Sequence, residues 1–128
     1  MNSSYIKAFI WATLIFIGSA ISGDSLNGVK FINIPGFDKI IHFTWYFVLC
    51  LLIISGVTKQ KGILPFSQII LITIICFAYG GLLEIIQGTI FNKRSQGIFD
   101  FIANCSGAIV ASITFGRFYK RKIWRKVL

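Results

Sequence analysis

Glu84, His42 and Asp100 are the residues of this chain best suited to proton transfer, two carboxylates and a single imidazole, the side-chain type that titrates nearest neutrality. Arg94 adds a planar cation whose fork fits a phosphate or carboxylate better than an ammonium does. Gln87, Asn104 and Tyr46 offer neutral hydrogen-bonding groups, and Asp38 and Lys39 form an adjacent pair of opposite charge. Such a set can bind a polar headgroup, or hydrolyse or transfer a group on it with Glu84, His42 and Asp100 as the catalytic candidates. No nucleophile is assigned, because the chain has no GxSxG, HExxH or paired-cysteine motif. A metal held by His42, Glu84 and Asp100 is geometrically conceivable, yet no recognised ligand spacing signals one, so neither metal nor cofactor is assigned. Cys50, Cys76 and Cys105 lie inside apolar stretches and read as small core residues.

The elements that must position these groups follow from composition. Of 128 residues, 55% are hydrophobic and 13% charged, and the mean hydropathy is +0.78. Soluble chains carry about 25% charged residues. The apolar residues fall into four blocks, about residues 5–21, 40–57, 68–91 and 97–115, each near the ~20 residues needed to cross ~30 Å of hydrocarbon. Backbone hydrogen bonding in lipid makes all four helical. The expected fold is an all-α integral membrane protein, a four-helix transmembrane bundle forming one domain over residues 1–128. After four spans no stretch remains for a separate soluble catalytic domain. Gly18, Ser19 and Ala20 imitate a signal-peptide cleavage region, but the first block reads as a retained span. Gly28, Pro35 and Gly36 punctuate the first loop; Lys59, Lys61 and Pro65 read as a short basic turn; residues 92–96 form a polar loop; and 117–128 form a basic tail. There is no internal repeat or low-complexity segment.

The formal charge is +9, with six of the thirteen basic residues in the tail: Arg117, Lys120, Arg121, Lys122, Arg125 and Lys126. A short tail beside a span offers no folded surface for nucleic acid, and its charge fits anionic lipid headgroups instead. Four spans put both termini on one side. With Lys7, Lys59 and Lys61 that side holds nine basic residues, against Lys30, Lys39, Lys93 and Arg94 on the other. The richer side is expected to be cytoplasmic, which places a multi-pass protein in the cytoplasmic membrane.

All four acidic residues, Asp24, Asp38, Glu84 and Asp100, then belong to the outer half, with His42 and Arg94. Residues three or four apart share a helix face. Asp38, His42 and Tyr46 form one line; Gly80, Glu84 and Gln87 a second; Asp100, Asn104, Gly107 and Ala111 a third that turns from polar to small with depth. Small residues let helices approach closely, so the pattern reads as the wall of a shallow outer pocket. An ionisable group inside a span costs on the order of 2.5–3.5 kcal/mol, so Glu84 should be protonated, paired with His42 or Arg94, or open to a wet cavity. Structural readings stand beside these: Asp100 complementing a helix dipole, Asp38 capping the second helix, Arg94 anchoring at the interface, and His42 satisfied in the core.

Asp38-Lys39-Ile40-Ile41-His42-Phe43 followed by Tyr46 and Leu49, then Glu84-x-x-Gln87, then Arg94 with Asp100 six later, Asn104 and Gly107-Ala108, resembles the VanZ-like family of small bacterial membrane proteins over about residues 36–112. Ala111 stands where a glycine is common in that family, and the loop before Arg94 lacks a frequent proline. The resemblance implies a part in cell-envelope susceptibility to teicoplanin, a lipid-tailed glycopeptide directed at cell-wall precursors. Three functions follow as alternatives. The first is binding or altering a lipid-linked envelope component or lipoglycopeptide in the outer pocket, with Arg94 and Lys93 holding the headgroup, Glu84, Gln87 and Asn104 orienting it, and Asp38, Lys39 and Tyr46 completing the wall. The second is a membrane-embedded hydrolase or transferase using Glu84 and His42. Transport comes third, because the inner half has few polar groups beyond Thr73, Tyr46 and Ser112. A purely structural network is the bland alternative to all three, and the oligomeric state is open.

Overall fold

The structure is a computed structural model that describes residues 2–21, 36–90 and 98–128. Lys93 and Arg94, with Asp24 and Lys30, lie outside the described residues. Five helices make up the described chain: α1 (Ser3–Ala20), α2 (Phe37–Lys61), α3 (Phe66–Thr89), α4 (Ile98–Lys120) and a short α5 (Lys122–Val127). The first four are long and apolar enough to cross a membrane. At 1.5 Å per residue, the 24 residues of α3 span about 36 Å, more than the ~30 Å hydrocarbon layer.

The helices outrun the apolar blocks that announced them. Lys59 and Lys61, expected in a turn, form the last turn of α2, and Arg117 and Lys120, assigned to the tail, close α4. Cations favour the carbonyl end of a helix and can extend their ammonium or guanidinium groups toward water, so a charged residue need not end the helix where apolar sequence ends. The rest of the expected tail is helical as α5. Stops and starts are set by other groups. The Asn2 side chain accepts from the backbone N–H of Ser4 at 3.0 Å and of Tyr5 at 3.3 Å, capping α1. Gly62, at φ 83°, ends α2 in a conformation that side-chain-bearing residues avoid. Asp38 does not cap α2, as one reading had it: the N-cap is Gly36, and Asp38 sits inside the first turn.

Side-chain contacts fix the order of the bundle. Asn2 Nδ2 donates to the Gly56 carbonyl at 2.8 Å, Tyr5 Oη donates to Gln60 Oε1 at 3.0 Å, and Ser4 Oγ donates to the Leu128 carbonyl. The two chain ends therefore share one end of the bundle with the close of α2. At the opposite end the start of α2 meets the start of α4, and Gln87 near the close of α3 reaches Ser19 near the close of α1. The helices thus run up, down, up and down, with α2 against α4 as the most extensive pairing.

Gly107 is what lets that pair come together. A Cβ there would collide with the Phe43 carbonyl oxygen and lie 3.0 Å from the Phe47 nitrogen. Backbone meets backbone across this contact, as expected of a small-residue face. Ala108 and Ala111 beside it are fully buried, as are Cys50 and Ile54 of α2, and Tyr46 is 1% exposed. Phe9, Ile85 and Ile113 instead point outward, the pattern of a bundle whose surroundings are hydrocarbon.

Candidate functional site

The close approach at Gly107 brings the first two turns of α2 beside the first two turns of α4, and α3 leans its last turns over the gap. Lys39 supplies the ammonium. Its Nζ lies 2.5 Å from Asp38 Oδ2 and also pairs with Asp100 Oδ1, so one cation bridges two helices. The two carboxylates are unlike in surroundings: Asp38 is exposed at the rim, whereas Asp100 is only 4% exposed. A carboxylate taken that far from water needs such a partner. Asp100 also lies in the first turn of α4, where its charge complements the helix dipole, so the structural reading and the ion pair act together.

One turn deeper, His42 Nδ1 meets Asn104 Oδ1 at 3.0 Å. An amide oxygen can only accept, so Nδ1 is the donor. In the neutral ring the lone pair is then on Nε2, the nitrogen left to take a proton or a cation. Glu84 comes from α3 on the third side. A ring nitrogen of His42 and one carboxylate oxygen each of Glu84 and Asp100 lie within 4.8 Å of one another. Glu84 Oε2 is buried and has no hydrogen-bond partner among the described residues. Of the fates expected for this carboxylate, pairing with Arg94 lies outside the described residues, and His42 lies close to it in the cluster.

The three lines of side chains behave differently. Asp38, His42 and Tyr46 descend from rim to core, ending in a Tyr46 that is 1% exposed and packed 6.1 Å from the Tyr79 ring. Asp100, Asn104, Gly107 and Ala111 are all buried, as the change from polar to small implied. The α3 line divides. Gly80 lies over Tyr46 and Asn104, where a Cβ would sit 3.2 Å and 3.3 Å from their nearest atoms, and Glu84 joins the cluster. Gln87 departs: its Nε2 donates to the Ser19 carbonyl at 2.9 Å, tying α3 to α1. Three residues turn a helix by about 300°, enough to swing Gln87 toward another neighbour. Lys39, placed in the wall of the site by its charge, is the internal counter-ion. Its adjacency to Asp38 was legible; its reach to Asp100 was not, because it depends on how closely α2 and α4 pack.

Deeper polar atoms form a separate group. Thr73 Oγ1 lies 2.6 Å from Ser112 Oγ, and Cys50 Sγ lies 3.5 Å from the same oxygen. Each hydroxyl is also within bonding distance of a carbonyl of its own helix, so one donates to its carbonyl while the other donates across to it, and the group closes on itself.

None of the protein-family models, curated proteins or solved structures compared with the chain matches it.

Proposed function

We propose that this chain is a VanZ-like protein of the bacterial cytoplasmic membrane, with both termini cytoplasmic, that engages a sugar-bearing, lipid-linked component of the cell envelope at its outer end and so alters susceptibility to lipoglycopeptides such as teicoplanin. The observation that carries this reading is the unspent accepting capacity of the cluster: a buried Glu84 oxygen without a partner and the lone pair on His42. A hydroxyl-rich headgroup donates hydrogen bonds to such atoms, and apolar helix faces on either side suit its lipid tail. The basic-residue balance supports the orientation, and the spaced motifs from Asp38 to Ala108 support the family. In this reading Arg94 and Lys93, outside the described residues, hold an anionic portion of the same headgroup.

The second reading, a hydrolase or transferase on such a lipid, is favoured by the His42 tautomer. A histidine whose Nδ1 is anchored on Asn104 presents Nε2 as its general base in the neutral ring, with Glu84 beside it as the acid.

Titration of the purified full chain with a lipid-linked cell-wall precursor, against phosphatidylglycerol as bulk lipid, tests the first reading. The expected result is a preference for the precursor that Glu84→Gln abolishes, together with loss of any teicoplanin phenotype in a bacterial host. Equal binding of both lipids overturns it. Turnover of the bound precursor, lost in both Glu84→Gln and His42→Gln, would establish the second reading.

A further inference from the structure

The geometry points to a divalent-cation site formed by His42, Glu84 and Asp100; we propose that it takes a first-row ion of the Mn2+ or Zn2+ class. Three helices each contribute one donor, a ring nitrogen and two carboxylate oxygens, mutually within 4.8 Å. Three donors about 2.1 Å from a common ion lie about 3.4 Å apart in tetrahedral geometry, so a set at the 4.8 Å limit closes on an ion with each donor moving inward by roughly 0.8 Å. One imidazole with two carboxylates suits the borderline ions better than Ca2+ or Mg2+, which favour all-oxygen shells.

Three features separate this set from a chance cluster of charge. The first is the support behind the histidine: Asn104 Oδ1 holds Nδ1–H at 3.0 Å, fixing tautomer and ring, the arrangement that orients metal-bound imidazoles. The second is the depth of Asp100, 4% exposed, with the partnerless Glu84 Oε2 also buried nearby. The third is charge. The described cluster sets three carboxylates, Asp38, Glu84 and Asp100, against the single ammonium of Lys39. With Glu84 ionised that is a net −2, which a divalent cation cancels. Lys39 competes for Asp100, but it can retain Asp38 and release the deeper carboxylate.

The consequence for the headgroup rests on the proposed function. A net-negative cluster repels phosphate. With the cation in place, the same site can hold a phosphate or pyrophosphate oxygen on the metal while the sugar hydroxyls meet the remaining acceptors.

The test is a Mn2+ titration of EDTA-stripped full-length protein in an uncharged maltoside detergent, reading loss of the free-ion electron paramagnetic resonance signal. One saturable Mn2+ per chain, displaced by Zn2+, is expected. Glu84→Gln and Asp100→Asn should each weaken it at least tenfold, and Asn104→Ala about 10–100-fold through the histidine. Lys39→Met should tighten it, because it removes the competing ammonium; a site elsewhere in the molecule would not respond in that direction. Absence of saturable binding to the parent protein, or binding that survives Glu84→Gln unchanged, overturns the proposal. The lipid titration separates it from the functional reading: Mn2+ binding without precursor preference defeats the function alone, and precursor preference without Mn2+ binding defeats the metal site alone.

Discussion

The two ends of the bundle use their described polar side chains in opposite ways. At the end shared by the chain termini, polar groups mostly bond to backbone: Asn2 to the Gly56 carbonyl, Ser4 to the Leu128 carbonyl, and Lys7 Nζ to the Val127 carbonyl at 2.7 Å. Lys59 Nζ donates to Ser4 Oγ at 2.8 Å, and no carboxylate side chain is present among these partners. At the opposite end, side chains bond chiefly to side chains, charges of both signs are drawn between helices, and a buried acceptor is left over. Side chain to backbone bonding fastens a helix end, and the partnerless buried atom there, Ser55 Oγ, belongs to an uncharged hydroxyl. A charged network with an unspent acceptor is costly to keep in a membrane, and that cost distinguishes a site from a fastening.

The largest expected effect tests whether the charged end is a true network. Lys39→Met leaves Asp100 buried without its counter-ion and should destabilise the fold by about 3 kcal/mol, the low end for breaking a buried pair because Lys39 is itself partly solvated. Adding Asp100→Asn should restore most of that loss. Thermal unfolding of the two single variants and the double variant in detergent measures the coupling. A coupling near zero would make this end no different from the other.

The glycines sharpen the same contrast. Gly107→Ala forces a methyl against the Phe43 carbonyl, which cannot move without shifting α2, and should cost about 2 kcal/mol and loosen the His42–Asn104 contact one turn away. Gly56→Ala at the terminal end meets the Tyr5 ring at 2.7 Å, a side chain able to turn aside, and should cost less. Equal losses would mean that backbone contact does not set the geometry of the site.

Most of the fold was legible because lipid imposes one answer: apolar blocks of the right length become helices, and Asp100, Asn104, Gly107 and Ala111 fall on one buried face by period alone. The meeting of His42, Glu84 and Asp100 was also within reach, since each sits near the same end of its own helix. Pairing within the site was not. Whether Lys39 turns to its neighbour Asp38 or across to Asp100, and whether Gln87 faces the cluster or α1, depends on helix rotation and on a backbone approach of an ångström or so at Gly107. Charge patterns mark depth; they do not specify rotation. Helix ends were misjudged for a related reason, because Lys59, Lys61, Arg117 and Lys120 signal the membrane boundary while the helix continues through it.

The smallest expected effect is the most discriminating, because it concerns sign. Glu84→Gln keeps the shape of the side chain and removes a carboxyl group whose Oε2 has no bonded partner among the described residues. If the cluster only held helices together, the swap would weaken it, as loss of a hydrogen bond elsewhere does by about 1 kcal/mol. For a site kept open at some cost to the fold, the swap relieves a buried, unpartnered carboxyl oxygen, and stability should hold or rise slightly while ligand binding is lost. Lys59→Met at the terminal end provides the reference, a fastening whose removal should cost up to about 1 kcal/mol with binding untouched. Thermal unfolding and precursor binding measured on both variants should therefore move in opposite senses: stability without binding for Glu84→Gln, binding without full stability for Lys59→Met. A Glu84→Gln variant less stable than Lys59→Met would place Glu84 among the fastenings and remove the distinction between the two ends.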